Sequence, residues 1–149
     1  MMRIAVLLCL VMASVPAVAG GVTLMGPFQA EVLRVVDGDT IEARVHIWLS
    51  QDLTTDIRIR GIDAPELKGR CREETIMAVA ATDRLIDLAG TAIRISEIGA
   101  DKYGGRVLAR VENAEGSDVG AMMLESGLAR PYAGGRRGDW CNLAQAGQE

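Results

Sequence analysis

From Phe28 onward the chain alternates apolar and polar positions with a period of two. TIEARVHIW, Thr40 to Trp48, sets Ile41, Ala43, Val45 and Ile47 on one side and Glu42 and Arg44 on the other, the pattern of a half-buried strand. FQAEVLRVV before it (Phe28 to Val36) and DIRIRGI after it (Asp56 to Ile62) predict two more strands, with polar SQDLTTD as the turn between the second and third. The period then changes. Between Glu73 and Ala89, Met77, Ala81, Leu85 and Leu88 fall on one helical face, and Gly90 supplies a stop. TAIRISEI (Thr91 to Ile98) and VLARV (Val107 to Val111) return to strand spacing. DVGAMMLES (Asp118 to Ser126) predicts a short helix capped by Asp118 or Ser117 and stopped by Gly127. The tail beyond Tyr132 is rich in Gly and Arg and predicts irregular structure. The order β-β-β-α-β-β-α suits an α+β domain: a five-stranded β-barrel of the OB-fold type with two to three helices packed on it.

The first residues stand apart from this pattern. MMRIAVLLCLVMASVPAVAG has an early Arg3, an apolar run from Ile4 to Met12 and a small-x-small site at Ala17-Val18-Ala19. That is the layout of a signal peptide over residues 1–19, and the run is short for a membrane anchor, the alternative. Residues 20–149 then form a single domain, expected to be exported to the periplasm or secreted, monomeric, and without stable membrane association once the leader is cut. Cleavage removes Cys9 and leaves Cys71 and Cys141. Two cysteines in an oxidising compartment read as one disulfide, with two free thiols as the alternative. The sole histidine, His46, lies in a strand-like run and gives no pairing signal for thiol chemistry. The net charge of −4 argues against broad attraction to nucleic acid but leaves room for a local basic site.

Three stretches carry candidate chemistry. VVDGDTI, Val35 to Ile41, is on its own a hairpin signal with solvated aspartates. IRIRGIDAPE, Ile57 to Glu66, puts Asp63 at a strand end with Glu66 three residues on. Alone it reads as a basic strand face closed by Pro65. Yet a hard cation takes carboxylate, carbonyl and water oxygens, and Glu66 could then hold or deprotonate water beside it. ADKYGGRVLARV places a turn before Arg106. Arg58 and Arg106 could flank one phosphate and neutralise the charge that builds in its transition state.

Together and in order, DGDT, R-x4-D-x-P-E, D-K-Y-G-x-R-x-L-A and the G-L-A of Gly127 to Ala129 resemble the staphylococcal nuclease (thermonuclease) family, from about Val32 to Tyr132. The resemblance implies an OB-fold calcium-dependent phosphodiesterase acting on DNA and RNA and releasing 3′-phosphorylated products. It implies Asp39 and Asp63 as Ca2+ ligands, with Ala64 giving a main-chain carbonyl and Asp37 standing close behind the ion. It implies Arg58 and Arg106 as catalytic arginines and Glu66 as the residue that activates water. Lys102 and Tyr103 match residues along the phosphate side of the nucleotide.

Three features depart from the family pattern. Gly104-Gly105 adds one glycine before Arg106, which a bulge can absorb or which displaces the arginine. The loop between Glu66 and the first helix is short, leaving that side of the site more open. The family's long final helix is replaced by GGRRGDWCNLAQ, where a Cys71–Cys141 disulfide and Trp140 are expected to supply the missing packing against the first helix. Tyr132 is offset from the family's aromatic and either stacks a base or serves the core or surface. Two other readings compete: a non-catalytic OB-fold module that holds single-stranded nucleic acid or another ligand, and a structural calcium-binding domain. The 3% aromatic content argues against the first, because a stacking platform needs rings.

Overall fold

A computed structural model describes residues 21–141. The leader expected over residues 1–19 lies outside the described residues. Five strands close into a barrel: β1 (Phe28–Asp37), β2 (Thr40–Trp48), β3 (Gln51–Ile59), and then, after a short strand β4 (Ile62–Asp63) and a helix α1 (Arg72–Ala89), β5 (Ala92–Ala100) and β6 (Arg106–Asn113). A second helix α2 (Val119–Glu125) and a two-residue strand β7 (Arg130–Pro131) complete the described chain. The barrel order is β1-β2-β3-β6-β5, with β5 closing onto β1. All its pairings are antiparallel except β3 with β6. This is the α+β barrel with two helices that the sequence predicts, and closure leaves no barrel edge exposed.

The inward positions follow the period of two. Ile41, Ala43 and Val45 from β2, Ile57 and Ile59 from β3, Ile93 and Ile95 from β5, and Ala109 and Val111 from β6 form one buried cluster. Ile47 keeps the alternation but is exposed, and Trp48 is 74% exposed, because the end of the β2–β3 hairpin extends beyond the barrel core.

Three local expectations change. SQDLTTD is not a turn: Trp48 pairs with Gln51, so Leu49-Ser50 is the whole loop and β3 begins at once. Ser50 takes φ 59° there. Leu53 pairs with Val45 and Thr55 with Ala43, and polar β-branched threonines suit a half-exposed strand despite their polarity. In VVDGDTI, Asp37 pairs with Thr40, so the two-residue loop is Gly38-Asp39 and not Asp37-Gly38. On α1 the buried line is Glu74, Ala78, Ala81, Leu85 and Ala89, while Met77 and Leu88 flank it half-buried. Alanines in the centre of that line allow the helix to lie close to β1 and α2.

Gly38 marks the closest approach. A Cβ built there would lie 2.7 Å from Ala81 Cβ and 2.8 Å from Ala64 Cβ. The hairpin loop, the helix and the start of the Asp63–Glu66 exit are therefore packed at one point. Cys71 caps α1, its Sγ accepting from the Glu74 amide at 3.4 Å, and Gly90 ends it with φ 62°, where glycine escapes the Cβ clash. Asp118 is the cap of α2, accepting from the Ala121 amide at 2.9 Å.

Candidate active site

The hairpin loop turns Asp39 inward. Asp37 is half-buried at the cleft wall, while Asp39 is 2% exposed, which overturns the solvated reading for this aspartate. Oδ1 accepts from Arg58 Nη1 at 2.5 Å and from Thr40 Oγ1 at 2.9 Å, and Oδ2 accepts from the Ala64 amide at 3.1 Å. Burial raises the Asp39 carboxyl above the ordinary carboxylate range, with the Arg58 guanidinium pulling it down in part. Asp37 Oδ1 accepts from the Asp39 amide at 3.0 Å. Asp37 thus steadies the loop that carries Asp39.

Asp63 is fully buried at 0% exposure. Its partner in the β4–β7 ribbon is Arg130, so the pairing itself sets a guanidinium against the carboxylate. Arg130 Nε and Nη2 donate to Asp63 Oδ2 at 3.0 and 2.9 Å, and Trp140 Nε1 donates to the same oxygen at 3.2 Å. Arg137 Nε donates to Oδ1 at 2.5 Å, and Arg58 Nη2 lies 3.8 Å from it. A buried carboxylate without such partners would carry a large desolvation cost.

Arg58 and Arg106 come from neighbouring parallel strands. Arg106 pairs with Asp56, two residues before Arg58, so the two arginines share one face of the sheet. Arg106 opens β6 despite the extra glycine, since Gly105 takes φ 83°. Its Nε donates to Asp101 Oδ2 at 2.5 Å, and its guanidinium lies 5.1 Å from the Tyr103 ring. Both arginines line a cleft of about 800 Å³ together with Arg60, Glu66, Lys102, Tyr103, Tyr132 and Arg137. The cationic side chains outnumber the acidic ones there, on a chain of net charge −4. Such a concentration of one sign draws anions into a cleft. Tyr132 stands beside Arg58, with the guanidinium 5.9 Å from its ring and its hydroxyl donating to the Gly135 carbonyl at 2.8 Å.

Arg58, Glu66, Lys102, Tyr103 and Arg106 line the cleft, while Asp39, Asp63 and Ala64 lie buried behind it, joined to Arg58 and Arg137 by hydrogen bonds and ion pairs. The oxygens proposed for a metal can be tested on a stand-in. Asp63 Oδ1 and the Ala64 carbonyl converge on one cation, the Arg137 guanidinium, whose Nη2 donates to the carbonyl at 2.7 Å. Its Nη1 pairs with Glu66. Carboxylate and carbonyl oxygens meeting at one positive charge are the kinds of donor a hard divalent cation takes, with water completing its shell. Asp63 and Ala64 therefore fit one once Arg137 gives way, whereas both Asp39 oxygens are engaged by Arg58, Thr40 and the Ala64 amide. Among the described residues Asp39 is paired with Arg58 and not with Arg137.

Sequence reading missed three of these residues. Arg130 and Arg137 sit in a tail whose glycines and arginines signal only irregular chain. Glu74 is buried in the first turn of α1 and accepts from the amides of Glu66 at 3.3 Å and Arg70 at 2.8 Å. It shapes the short loop behind Glu66. An acid three residues after a capping cysteine is its only sequence signal. Cys71 and Cys141 form the expected disulfide, with Cα atoms 6.0 Å apart. Trp140 is buried but spends its indole N–H on Asp63, and its ring lies 4.2 Å from the Arg130 guanidinium.

A closed barrel with paired arginines on adjacent strands and buried carboxylates at their ends defines a small OB-type domain built to hold a charged ligand on one face. A family profile described as "Staphylococcal nuclease homologue" matches residues 56–145, and the chain belongs to that family. It is 31% identical over 135 residues to a micrococcal nuclease of Shigella flexneri, covering 81% of this chain and 71% of that protein. It is 30% identical over 112 residues to an uncharacterized endonuclease of Escherichia coli, covering 73% of this chain. The chain spans 64% of the length of that Escherichia coli relative.

Proposed function

We propose that the protein is a nuclease that hydrolyses phosphodiester bonds of DNA and RNA, with calcium as its ion, and releases 3′-phosphorylated products. The observation that carries this reading is the cleft itself: Arg58 and Arg106 on one sheet face, with Glu66 on its wall and the buried Asp63–Ala64 oxygens reached through Arg137. Asp39, Asp63 and the Ala64 carbonyl would hold the ion. Bound there, it would supply Lewis-acid charge to a phosphoryl oxygen.

The chain's own groups do the rest. Glu66, half-exposed at the cleft wall, takes the proton of the attacking water, its own pairing with Arg137 having been released. Arg58 and Arg106 donate to the equatorial oxygens as the charge on phosphorus builds, the stage at which preorganised donors contribute most. Lys102 and Tyr103 border the phosphate side of the bound nucleotide. The bond from phosphorus to the 5′-oxygen breaks, and the phosphate stays on the 3′ side. Asp37 acts by holding the Asp39 loop.

The mature chain is proposed to work outside the cytoplasm as a monomer, in keeping with the N-terminal leader pattern and with a disulfide, which favours oxidising compartments. Among the described residues no helix is long and apolar enough to cross a membrane. One experiment tests the central reading: purified mature protein incubated with DNA and with RNA, with calcium and with a chelator. Cleavage with calcium that stops with chelator is the expected result. Retarded mobility without cutting would replace the enzyme with a binding module, and a change in melting temperature alone would leave a structural ion site.

A further inference from the structure

The segment from Gly134 to Cys141 is an arm laid across the proposed ion site, and its contacts differ at its two ends. The far end is pinned. Cys141 is bonded to Cys71 at the start of α1, Trp140 is buried on Asp63, and Arg130 Nη1 and Nη2 donate to the carbonyls of Asp139 at 3.2 Å and Gly138 at 2.5 Å. The near end is two glycines, Gly134 with φ 97° and Gly135 with φ 89°, around which a Cβ would meet no heavy atom within 4 Å. That end is tied by one hydrogen bond, from the Tyr132 hydroxyl to the Gly135 carbonyl at 2.8 Å, and otherwise can rotate at little steric cost. Between the two ends sits Arg137.

Arg137 makes the contacts a metal would make. Its guanidinium takes Asp63 Oδ1 at 2.5 Å, the Ala64 carbonyl at 2.7 Å and a carboxylate oxygen of Glu66. Two of these three oxygen-bearing groups are proposed ion ligands and the third is the proposed base. The charges also balance: Asp39, Asp63 and Glu66 are matched by Arg58, Arg130 and Arg137. With Arg137 in place, Glu66 is paired with a cation, and the guanidinium occupies the position facing both Asp63 Oδ1 and the Ala64 carbonyl. A divalent ion and this guanidinium therefore compete for the same oxygens.

We propose that Arg137 is a tethered cation that holds the ion site in the absence of metal, and that calcium enters by displacing it. The disulfide keeps the arm nearby, so the guanidinium acts at a high effective concentration and weakens apparent calcium affinity by the population of the arm-in state. This rests on the reading of Asp63 and Ala64 as ion ligands.

The test is calorimetric titration of calcium alone into the oxidised mature protein, without nucleic acid, for the parent, Arg137→Ala and Arg136→Ala. Charge-assisted contacts are worth enough that Arg137→Ala is expected to bind calcium about tenfold tighter or more. Arg136→Ala removes the same charge one residue away and should move affinity by less than about threefold. Should Arg137→Ala fail to fold, Arg137→Gln keeps a hydrogen-bonding head without the charge and carries the same expectation. Parent and Arg137 variant binding calcium equally, or the variant binding more weakly, overturns the competition and leaves the calcium site standing. Absence of binding in both overturns the calcium reading and the competition with it.

Discussion

Arg58 and Asp39 are bound to each other at 2.5 Å across the β2–β3 pairing, with both side chains nearly excluded from solvent. The pair joins the hairpin loop to the strand that faces the cleft, and the second fork of Arg58 reaches the Ile62 carbonyl at 3.3 Å. One guanidinium thus orients the carboxylate proposed to hold the ion while standing where a phosphate is proposed to enter.

Arg58→Ala is therefore expected to act twice. Without metal it leaves the buried Asp39 carboxylate without its cation, at a cost of about 3 kcal/mol, read as a lowered denaturant midpoint. In cleavage assays with calcium it should lose about a hundredfold or more in kcat. Arg58→Lys separates the two effects. It keeps the charge beside Asp39 but loses the planar fork, so its stability should lie near the parent's while its kcat stays low. Parental cleavage rates in Arg58→Lys would show that the fork is not used on phosphate.

Arg106 tests the consequence of the extra glycine. Its guanidinium is held by Asp101 on one side and lies over Tyr103 on the other, with Gly104-Gly105 forming the exposed tip of the turn. The glycine lengthens the tip and leaves the start of β6 in register with Asp56. Arg106→Ala should accordingly cost kcat about as much as removing one transition-state donor does, roughly a hundredfold, with a lowered melting temperature as well, because the pair it breaks is part-buried, the Asp101 side chain being 9% exposed. A mutant that cuts at the parental rate would mean that the lengthened turn has taken Arg106 out of the reaction.

The barrel was legible because its signal is repeated. Each strand carries the same alternation, and isoleucines at every second position are hard to read otherwise. The start of β3 was hidden because Gln51, Asp52, Thr54 and Thr55 look like loop chemistry, and only the hairpin pairing with β2 makes them a strand. Among the residues around the cleft, Asp63 and Glu66 stood out at the exit from β3, whereas the hairpin alone suggested solvated aspartates and Asp39 was singled out only by the family resemblance. Arg130 and Arg137 could not, because their partner Asp63 is 67 and 74 residues away. Nothing in local spacing encodes a contact made by the β4–β7 ribbon and a disulfide. Glu74 was hidden for a different reason, since an acid in the first turn of a helix is ordinarily a solvated partner of the helix dipole.

Gly38 offers a purely steric prediction. Its φ is unremarkable for any residue, so the constraint lies in the space around it. Ala81 and Ala64 stand within 2.8 Å of the position a Cβ would take, and both are buried. Gly38→Ala should destabilise the fold by about 1–3 kcal/mol through overpacking, measured as a shifted urea midpoint at unchanged slope. Because Ala64 borders the proposed ion site, calcium affinity should fall in the same variant. The double variant Gly38→Ala with Ala81→Gly should recover part of the stability, since it reopens the space on the helix side. Gly38→Ala as stable as the parent would mean that the loop and α1 can separate at no cost.

The disulfide joins the cap of α1 to the end of the described tail across a sequence separation of 70. On a chain-entropy basis, a cross-link of that span stabilises by up to about 4 kcal/mol. It also fixes the arm that presents Trp140 to Asp63. Reduction with a phosphine, or Cys141→Ser, should lower the melting temperature by several degrees. A buried indole reports the same event. Trp140 is buried and Trp48 is exposed, so in a Trp48→Phe background the remaining emission should shift to longer wavelength as the arm is released. That shift should appear below the global melting temperature, because the barrel keeps its own isoleucine core while the tail is left with the ribbon pairing and the polar contacts of Arg130, Arg137 and Trp140. A reduced protein with the parental melting temperature and unshifted emission would show that the Asp63 cluster holds the tail without the covalent tie.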